Sequence, residues 1–299
     1  MQLIRLIGLG LLSLPLVLGA CSGSQSTVDL NRLAYPLDRY DLTESELDST
    51  IQARYLLTQR CVAKFHLALP ALESGRELPP RDDRYGLSDE HTARTWAYSL
   101  DRPASTATTW EMKIPPKSRL FALVNGVTAS GRRVDMVGMP AGGCRAQANR
   151  TLARGSGLRG QSPVPSLERQ AWNASEHSPQ TQAAIKEWNQ CLAGQGYHYA
   201  DPVEAPVSYW TGVRMKANPF PTPEQRRRGV LPSASEKRAA VADVICKRES
   251  GLIEQWAAAD VAAQRKLIAT HLGQLRQYRE GLDRIVRNAQ RVNAIHWRE

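Results

Sequence analysis

Phenylalanine is scarce in this chain, three residues against seven Trp and nine Tyr, and lysine supplies only eight of its 39 basic residues. The first imbalance leaves the amphipathic aromatics, which stack on sugars or line interfaces but serve equally as helix-packing residues with a polar tip. The second leaves arginine, whose planar guanidinium suits bidentate recognition. Catalytic signatures are missing too. Glu90-His91 and Glu176-His177 do not extend to H-E-x-x-H, and no two of Cys61, Cys144, Cys191 and Cys246 lie two to four residues apart, which removes the familiar zinc sites. No G-x-S-x-G elbow offers a nucleophilic serine. Gly155, Gly157 and Gly160 satisfy G-x-G-x-x-G, but a predicted helix precedes them and Ser162-Pro163-Val164-Pro165 follows. Neither the strand nor the helix of a phosphate-binding turn is expected there. The sequence implies no cofactor and no metal.

What is present is an ordinary globular balance. Hydrophobic residues make up 42% and charged ones 23%, so 299 residues can bury a real core, as one large domain or two modest ones. Net charge is +10, and removing a leader that holds Arg5 and no acid lowers it only to about +9. A basic protein outside the cell meets anionic lipid headgroups and anionic wall polymer, drawn in over a range that salt shortens. Nucleic acid is not an expected partner there.

The N-terminus supplies that compartment. Arg5 is a short positive region, residues 6–18 are apolar, and the small Gly19 and Ala20 precede Cys21. This apolar run falls short of the roughly 20 residues a spanning helix needs. The chain also turns polar at once, in Ser22-Gly23-Ser24-Gln25-Ser26-Thr27. Residues 1–20 read as a cleaved signal peptide. Leu18-Gly19-Ala20-Cys21 resembles the bacterial lipobox, whose cysteine takes a diacylglyceryl group and becomes the new N-terminus. Cys21 is the expected lipidation site, and the protein is expected on the extracytoplasmic face of the cell membrane, held through that anchor.

Export makes the other four cysteines an even set in an oxidising compartment, where two disulfides are the default and three connectivities are open. Cys61-Val62-Ala63 and Cys191-Leu192-Ala193 each fall near the end of a predicted helix, a faint internal repeat. The repeat favours pairing each cysteine with the next downstream, Cys61 with Cys144 and Cys191 with Cys246. The nested alternative, Cys61 with Cys246 and Cys144 with Cys191, would lock the two halves together.

Along the chain, residues 21–33 form the lipidated N-terminus and tether. Thr43 and Glu46 make a capping box, followed by Leu47, Ile51, Tyr55, Thr58, Val62 and Phe65 at helical spacing to about residue 66. Residues 70–84, rich in Pro and charge, read as loop, and Ser88 or Asp89 can cap a short helix carrying Trp96 and Tyr98. The apolar run 120–124 before Asn125-Gly126 suits a hairpin or a buried helical turn. Ala141-Gly142-Gly143-Cys144 leads into a helix to Leu152. Gly, Ser and Pro then mark 154–170 as a linker or long loop between helical lobes at 34–153 and 171–299. A helix over 179–194 carries Ile185, Trp188 and Cys191 and ends before Gly196. Prolines 202, 206, 219, 221 and 223 make an irregular crossing that includes the basic spot Arg226-Arg227-Arg228. Ser233 and Glu236 repeat the capping box ahead of a proline-free helix over about 234–295. Unbroken, that helix would run about 90 Å at 1.5 Å per residue, so a bend near Gly251 or a projecting end is expected. Its stripe of Leu272, Leu275, Tyr278, Leu282, Ile285, Ala289 and Val292 packs on the protein's own helices or on a partner protein.

Several segments act together as a signature: Arg54-Tyr55-Leu56-Leu57-Thr58-Gln59-Arg60-Cys61, Tyr85-Gly86-Leu87, Gly142-Gly143-Cys144, Trp188-Asn189-Gln190-Cys191 with Gly196-Tyr197, and Ala242-Asp243-Val244-Ile245-Cys246-Lys247. Over most of the mature chain they resemble a group of uncharacterised actinobacterial secreted proteins and lipoproteins built around four cysteines. Val62 stands where that group usually has Met, and His66 where it has Gly, so the turn after the first cysteine is expected to differ. The resemblance implies no activity and no catalytic residues.

The expected fold is mainly α, an irregular helical bundle with a long C-terminal helix, two disulfides and at most a minor β-hairpin. The expected role is a binding or interaction module at the cell surface. One alternative is a hydrolase of wall polymer or glycan using loop carboxylates, Asp82 with Asp83 or Asp201 with Glu204, in a deep cleft. Another is a basic scaffold for anionic wall polymer. Replacing Cys21 by Ser is expected to release the protein from membranes or leave its precursor unprocessed. Fractionation with intact-mass measurement reads this directly, and unchanged mass with unchanged retention contradicts the lipobox reading.

Overall fold

The computed structural model describes residues 33–72, 84–98, 109–203 and 232–296. Among them lie eight α-helices: α1 (Glu44–Ala63), α2 (Glu90–Trp96), α3 (Arg119–Asn125), α4 (Gly143–Leu152), α5 (Val164–Glu176), α6 (Pro179–Gly194), α7 (Ala234–Glu249) and α8 (Leu252–His296). Short 3-10 turns occur at Asp38–Tyr40 and Trp110–Lys113. No strand forms among these residues, only isolated bridges between Arg84 and Gly86 and between Val127 and Arg133. No described helix is long and apolar enough to cross a membrane. Residues 1–32, with Cys21 and the leader, lie outside the described residues, as do Asp82, Asp83, Glu204 and Arg226 to Arg228.

Local chemistry sets the helix ends. At α1 the Thr43 hydroxyl accepts from the Glu46 N–H while the Glu46 carboxylate accepts from the Thr43 N–H at 2.9 Å, a complete capping box. At α7 the Ser233 hydroxyl caps the Glu236 N–H at 3.2 Å. Asn125-Gly126 does not turn a hairpin: Gly126, at φ 71°, is the left-handed cap of α3. Helix caps and hairpin turns demand the same left-handed residue, so the dipeptide fits both. The stretch read as loop to residue 170 becomes helix at Val164, and a helix therefore does follow the three glycines. Pro165 sits in the first turn, where its missing N–H would have had no helical partner. His66, at φ 58°, holds the left-handed turn after α1 that a glycine would take without strain.

The C-terminal segment bends at Gly251, φ 60°, which separates α7 from α8. A second break falls at His271, whose φ of −114° and ψ of 17° leave the helical range. There the Thr270 hydroxyl donates to the Leu267 carbonyl at 3.0 Å and His271 Nδ1 lies 2.9 Å from the same oxygen. Side chains entering the i to i−4 ladder in this way kink a helix.

α8 is the spine of the bundle. Before the kink it carries α6 and α7 through Trp188, Leu192, Cys246, Leu252 and Trp256. Around the kink Ile268 and Leu275 pack on Leu37, Tyr40, Val164 and Leu167. Beyond it Ala289, with Ile285 and Val292, packs on Ala53 and Leu57 of α1 and Leu152 of α4. Most of the apolar stripe of α8 is thus covered by the protein's own helices. Polar bonds fix the same contacts: Asn288 donates to the Leu152 and Arg154 carbonyls at 2.7 and 3.0 Å, and Arg279 joins Glu46 to Asp283. Segments from both sides of residues 154–170 share these clusters.

The disulfides join Cys61 to Cys144 and Cys191 to Cys246, across 83 and 55 residues. Each contributes about 4 kcal/mol if it acts by restricting the unfolded chain. Beside the first, α3 and α4 meet backbone to backbone. A Cβ on Gly143, at φ 82°, would lie 2.5 Å from the Gly126 nitrogen and 2.6 Å from the Val124 oxygen. Gly155 has a similar φ, 73°, but open space around it. Gly143→Ala is therefore expected to destabilise by about 3 kcal/mol or more and Gly155→Ala by about 1 kcal/mol. Denaturant midpoints of the oxidised variants check this, and equal losses would refute the close approach.

Candidate functional site

Two carboxylates and two cations lie in the interior near the second disulfide. Asp243, on α7, is fully buried. Its Oδ1 accepts from the Trp188 indole N–H at 2.9 Å, and its Oδ2 accepts from Lys247 Nζ at 3.1 Å and the Tyr98 hydroxyl at 3.2 Å. Lys247, 1% exposed, donates also to the carbonyls of Leu87 at 3.0 Å and Pro202 at 3.1 Å. Its three protons have three acceptors. Burial pushes the Asp243 carboxyl up from its ordinary range, against the Lys247 charge and the Trp188 and Tyr98 donors, which pull it down.

The Trp188 to Asp243 bond lies three residues before the Cys191–Cys246 disulfide on both helices. α6 and α7 therefore run the same way through this contact, joined by one covalent rung and one hydrogen-bonded rung.

The second group gathers on α8. The buried Asp260 carboxylate accepts from Arg84 Nε at 3.0 Å, Arg84 Nη2 at 2.8 Å and the Tyr85 hydroxyl at 2.9 Å, while Gln264 donates to its other oxygen at 2.9 Å. Gln264 in turn accepts the Leu37 N–H. The Arg84 guanidinium lies 4.3 Å above the Tyr35 ring, a cation–π stack. Burial works against its charge, but the Asp260 carboxylate outweighs that and raises its pKa. Tyr85, fully buried against Trp172 and Trp256, is pushed well above the usual phenol range and stays a donor. Between the two groups, Gly86 takes φ 78° with its Cα against the Pro202 carbonyl and Lys247 Nζ. A Cβ there would come within 2.4 Å of that oxygen.

Both groups are internally satisfied and hold the strap of residues 84–87 against α7 and α8. They serve as framework. Comparison with known protein families, curated proteins and solved structures finds no match.

The open surface near this framework is a shallow groove of about 490 Å³ between α2, α7 and the end of α6. Tyr197, Val241 and Ile245 form its apolar floor, and Arg94, Lys237 and Arg238 its rim, with no acid among the lining residues. Arg94 shares Glu90 with Arg248. Lys237 and Arg238 form no ion pair among the described residues. A second open groove, about 600 Å³, runs along the other side of α6 past Ile185, Lys186, His198 and Tyr199.

Of the expected site residues, the structure joins Cys61, Cys144, Cys191 and Cys246 in the sequential pairs. Asp201 sits in a turn and accepts the Val203 N–H at 2.6 Å. Sequence reasoning missed Asp243, Lys247 and Asp260 as buried and Arg84 as their half-buried neighbour. The signal was available for two of them: Asp243 and Lys247 flank Cys246 at −3 and +1, on the face that a disulfide must turn inward.

Lys247→Met leaves a buried carboxylate without its cation and is expected to destabilise by about 3 to 5 kcal/mol. The double variant Asp243→Asn with Lys247→Met, neutral at both positions, should recover most of that loss. Urea unfolding reads both. A single variant as stable as the wild type would remove this pair from the framework.

Proposed function

We propose that the chain is a lipid-anchored extracytoplasmic protein that acts as a binding module for an anionic ligand. The observation that carries this reading is the groove over α7, open to solvent, floored by apolar side chains and edged by Arg94, Lys237, Arg238 and the neutral Gln195, with no acid in its lining. An apolar floor with convergent charge of one sign suits a ligand that offers both surface area and negative charge. The net charge of +10 favours the same class of ligand, and two disulfides suit an oxidising compartment.

A hydrolytic reading gains less support. Of the described buried carboxylates, Asp243 and Asp260 are each engaged by three or more donors, and the third, Glu236, sits in the first turn of α7. Nor does the covered stripe on α8 offer a partner helix much apolar surface. A partner protein on that helix would meet its Arg- and Gln-rich outer face instead.

The mature chain carrying Cys21→Ser, oxidised, should bind poly(glycerol phosphate), a phosphodiester probe for anionic polymer. Affinity is expected to fall about tenfold or more between about 50 and 300 mM salt, as screening shortens the reach of the basic surface. Absence of binding at the lower salt, or binding indifferent to salt, contradicts the reading.

A further inference from the structure

The basic groove lies on the part of the fold where the N-terminal tether enters. Leu33 packs on the cluster of Trp188, Cys246 and Trp256, which shares Ala242 and Tyr197 with this groove and Ile185 and Tyr199 with the second groove along α6; of the two, the groove over α7 carries three cations in its lining and the other only Lys186. From there the chain runs along α8 toward the kink, with the Leu37 N–H on Gln264 and Tyr40 packed near Ile268 and Leu275. Residues 21–32 separate Leu33 from the expected lipidated cysteine, a tether that spans at most roughly 40 Å. The other end of α8 is farther off. From Trp256 to Ile295 the helix covers about 60 Å.

We infer that the α2–α7 groove is a membrane-facing surface, docked on anionic phospholipid headgroups of the bilayer that holds the anchor. Lys237 and Arg238 meet the headgroup phosphates, with Arg94 kept on Glu90 beside them, while Tyr197, Val241 and Ile245 sit at the headgroup boundary. Charge complementarity and the short tether argue for the same occupant. Neither a free polymer nor a soluble protein is brought to this face by the chain itself, whereas a bilayer anchored through Cys21 is.

This inference rests on the lipid anchor proposed above, and its test is separable from that reading. The mature chain with Cys21→Ser, lacking lipid, is sedimented with vesicles of phosphatidylcholine alone or mixed with phosphatidylglycerol. It should bind the anionic vesicles and not the neutral ones. Lys237→Glu with Arg238→Glu should weaken that binding about tenfold or more. Arg284→Glu with Arg287→Glu makes the same charge change at exposed positions on the far half of α8 and should weaken it no more than about threefold. Circular dichroism and thiol titration verify that each variant is folded and oxidised. Equal losses from the two pairs, or undiminished binding after the α7 pair, overturn the assigned face. The mass of the wild-type N-terminus decides the anchor independently. An unmodified Cys21 defeats the anchoring reading whatever the vesicles do.

Discussion

The Lys247 ammonium is the constraint on which the arrangement of this protein depends. A buried cation of this kind is tolerated only when each proton finds an acceptor, and here the acceptors come from three separate pieces of chain: Asp243 on its own helix, Leu87 from the strap and Pro202 from the segment after α6. Shifting any of these pieces breaks a bond that water cannot replace. A well-packed apolar side chain at residue 247 would be compatible with more than one placement of the strap, whereas the ammonium selects one. Gly86 follows from the same requirement, because the carbonyl and the ammonium that meet over its Cα leave no room for a Cβ.

Asp260 repeats the device on α8 with the charges reversed. There the acid lies on the helix and the cation, Arg84, on the strap. Residues 84–87 are therefore gripped at both ends, by the Arg84–Asp260 ion pair at one and by the Lys247 ammonium on the Leu87 carbonyl at the other, one to each of two consecutive helices. The Cys191–Cys246 disulfide lies beside the first grip and fixes the helix that bears it. Covalent and ionic constraints divide the work by range: the disulfide restricts the unfolded chain, while the buried ions discriminate among compact states.

Much of this fold could be read before any coordinates. Helix α6 matches its expected span because Pro179 and Gly196 bracket an uninterrupted pattern, and the α7–α8 bend fell at Gly251 because few other positions in that proline-free stretch could accept a positive φ. The sequential disulfides followed from a two-residue echo after Cys61 and Cys191. Less could be read where one residue serves two geometries. Asn125-Gly126 is equally a hairpin turn and a helix end, and Ser162-Pro163-Val164-Pro165 is equally a loop and a first helical turn. The buried ions were hidden for another reason. Asp260 and Arg84 are 176 residues apart, and nothing local distinguishes a carboxylate that will be desolvated from one that will face water. Asp243 differed only in its spacing from Cys246, a register argument that needed the disulfide to be accepted first. The groove over α7 is legible only in three dimensions, since Arg94, Tyr197 and Lys237 come from three elements.

The kink at His271 gives the spine two functional halves. Beside the half from Leu252, which itself bears Asp260, lie the described features built on buried charge: the strap, the rungs between α6 and α7 and, next to them, the basic groove. The half beyond the kink is held by small apolar contacts, by the Arg279 bridge to Glu46 and by amide side chains that reach other helices, Asn288 capping α4 at the Leu152 carbonyl and Asn293 donating to the Ser49 carbonyl within α1. The apolar and amide contacts are individually weak, and they depend on shape more than on charge. If the charged half meets an anionic bilayer, the rigidity of its framework has a purpose beyond stability. Recognition by a few rim cations is effective only when the helices that carry them keep their spacing, and Lys237 lies on the helix that Asp243 and Lys247 pin to the strap. The buried ions would then hold the exposed ones in register, and the same helix would serve as framework on its inner face and as the contact with the membrane on its outer one.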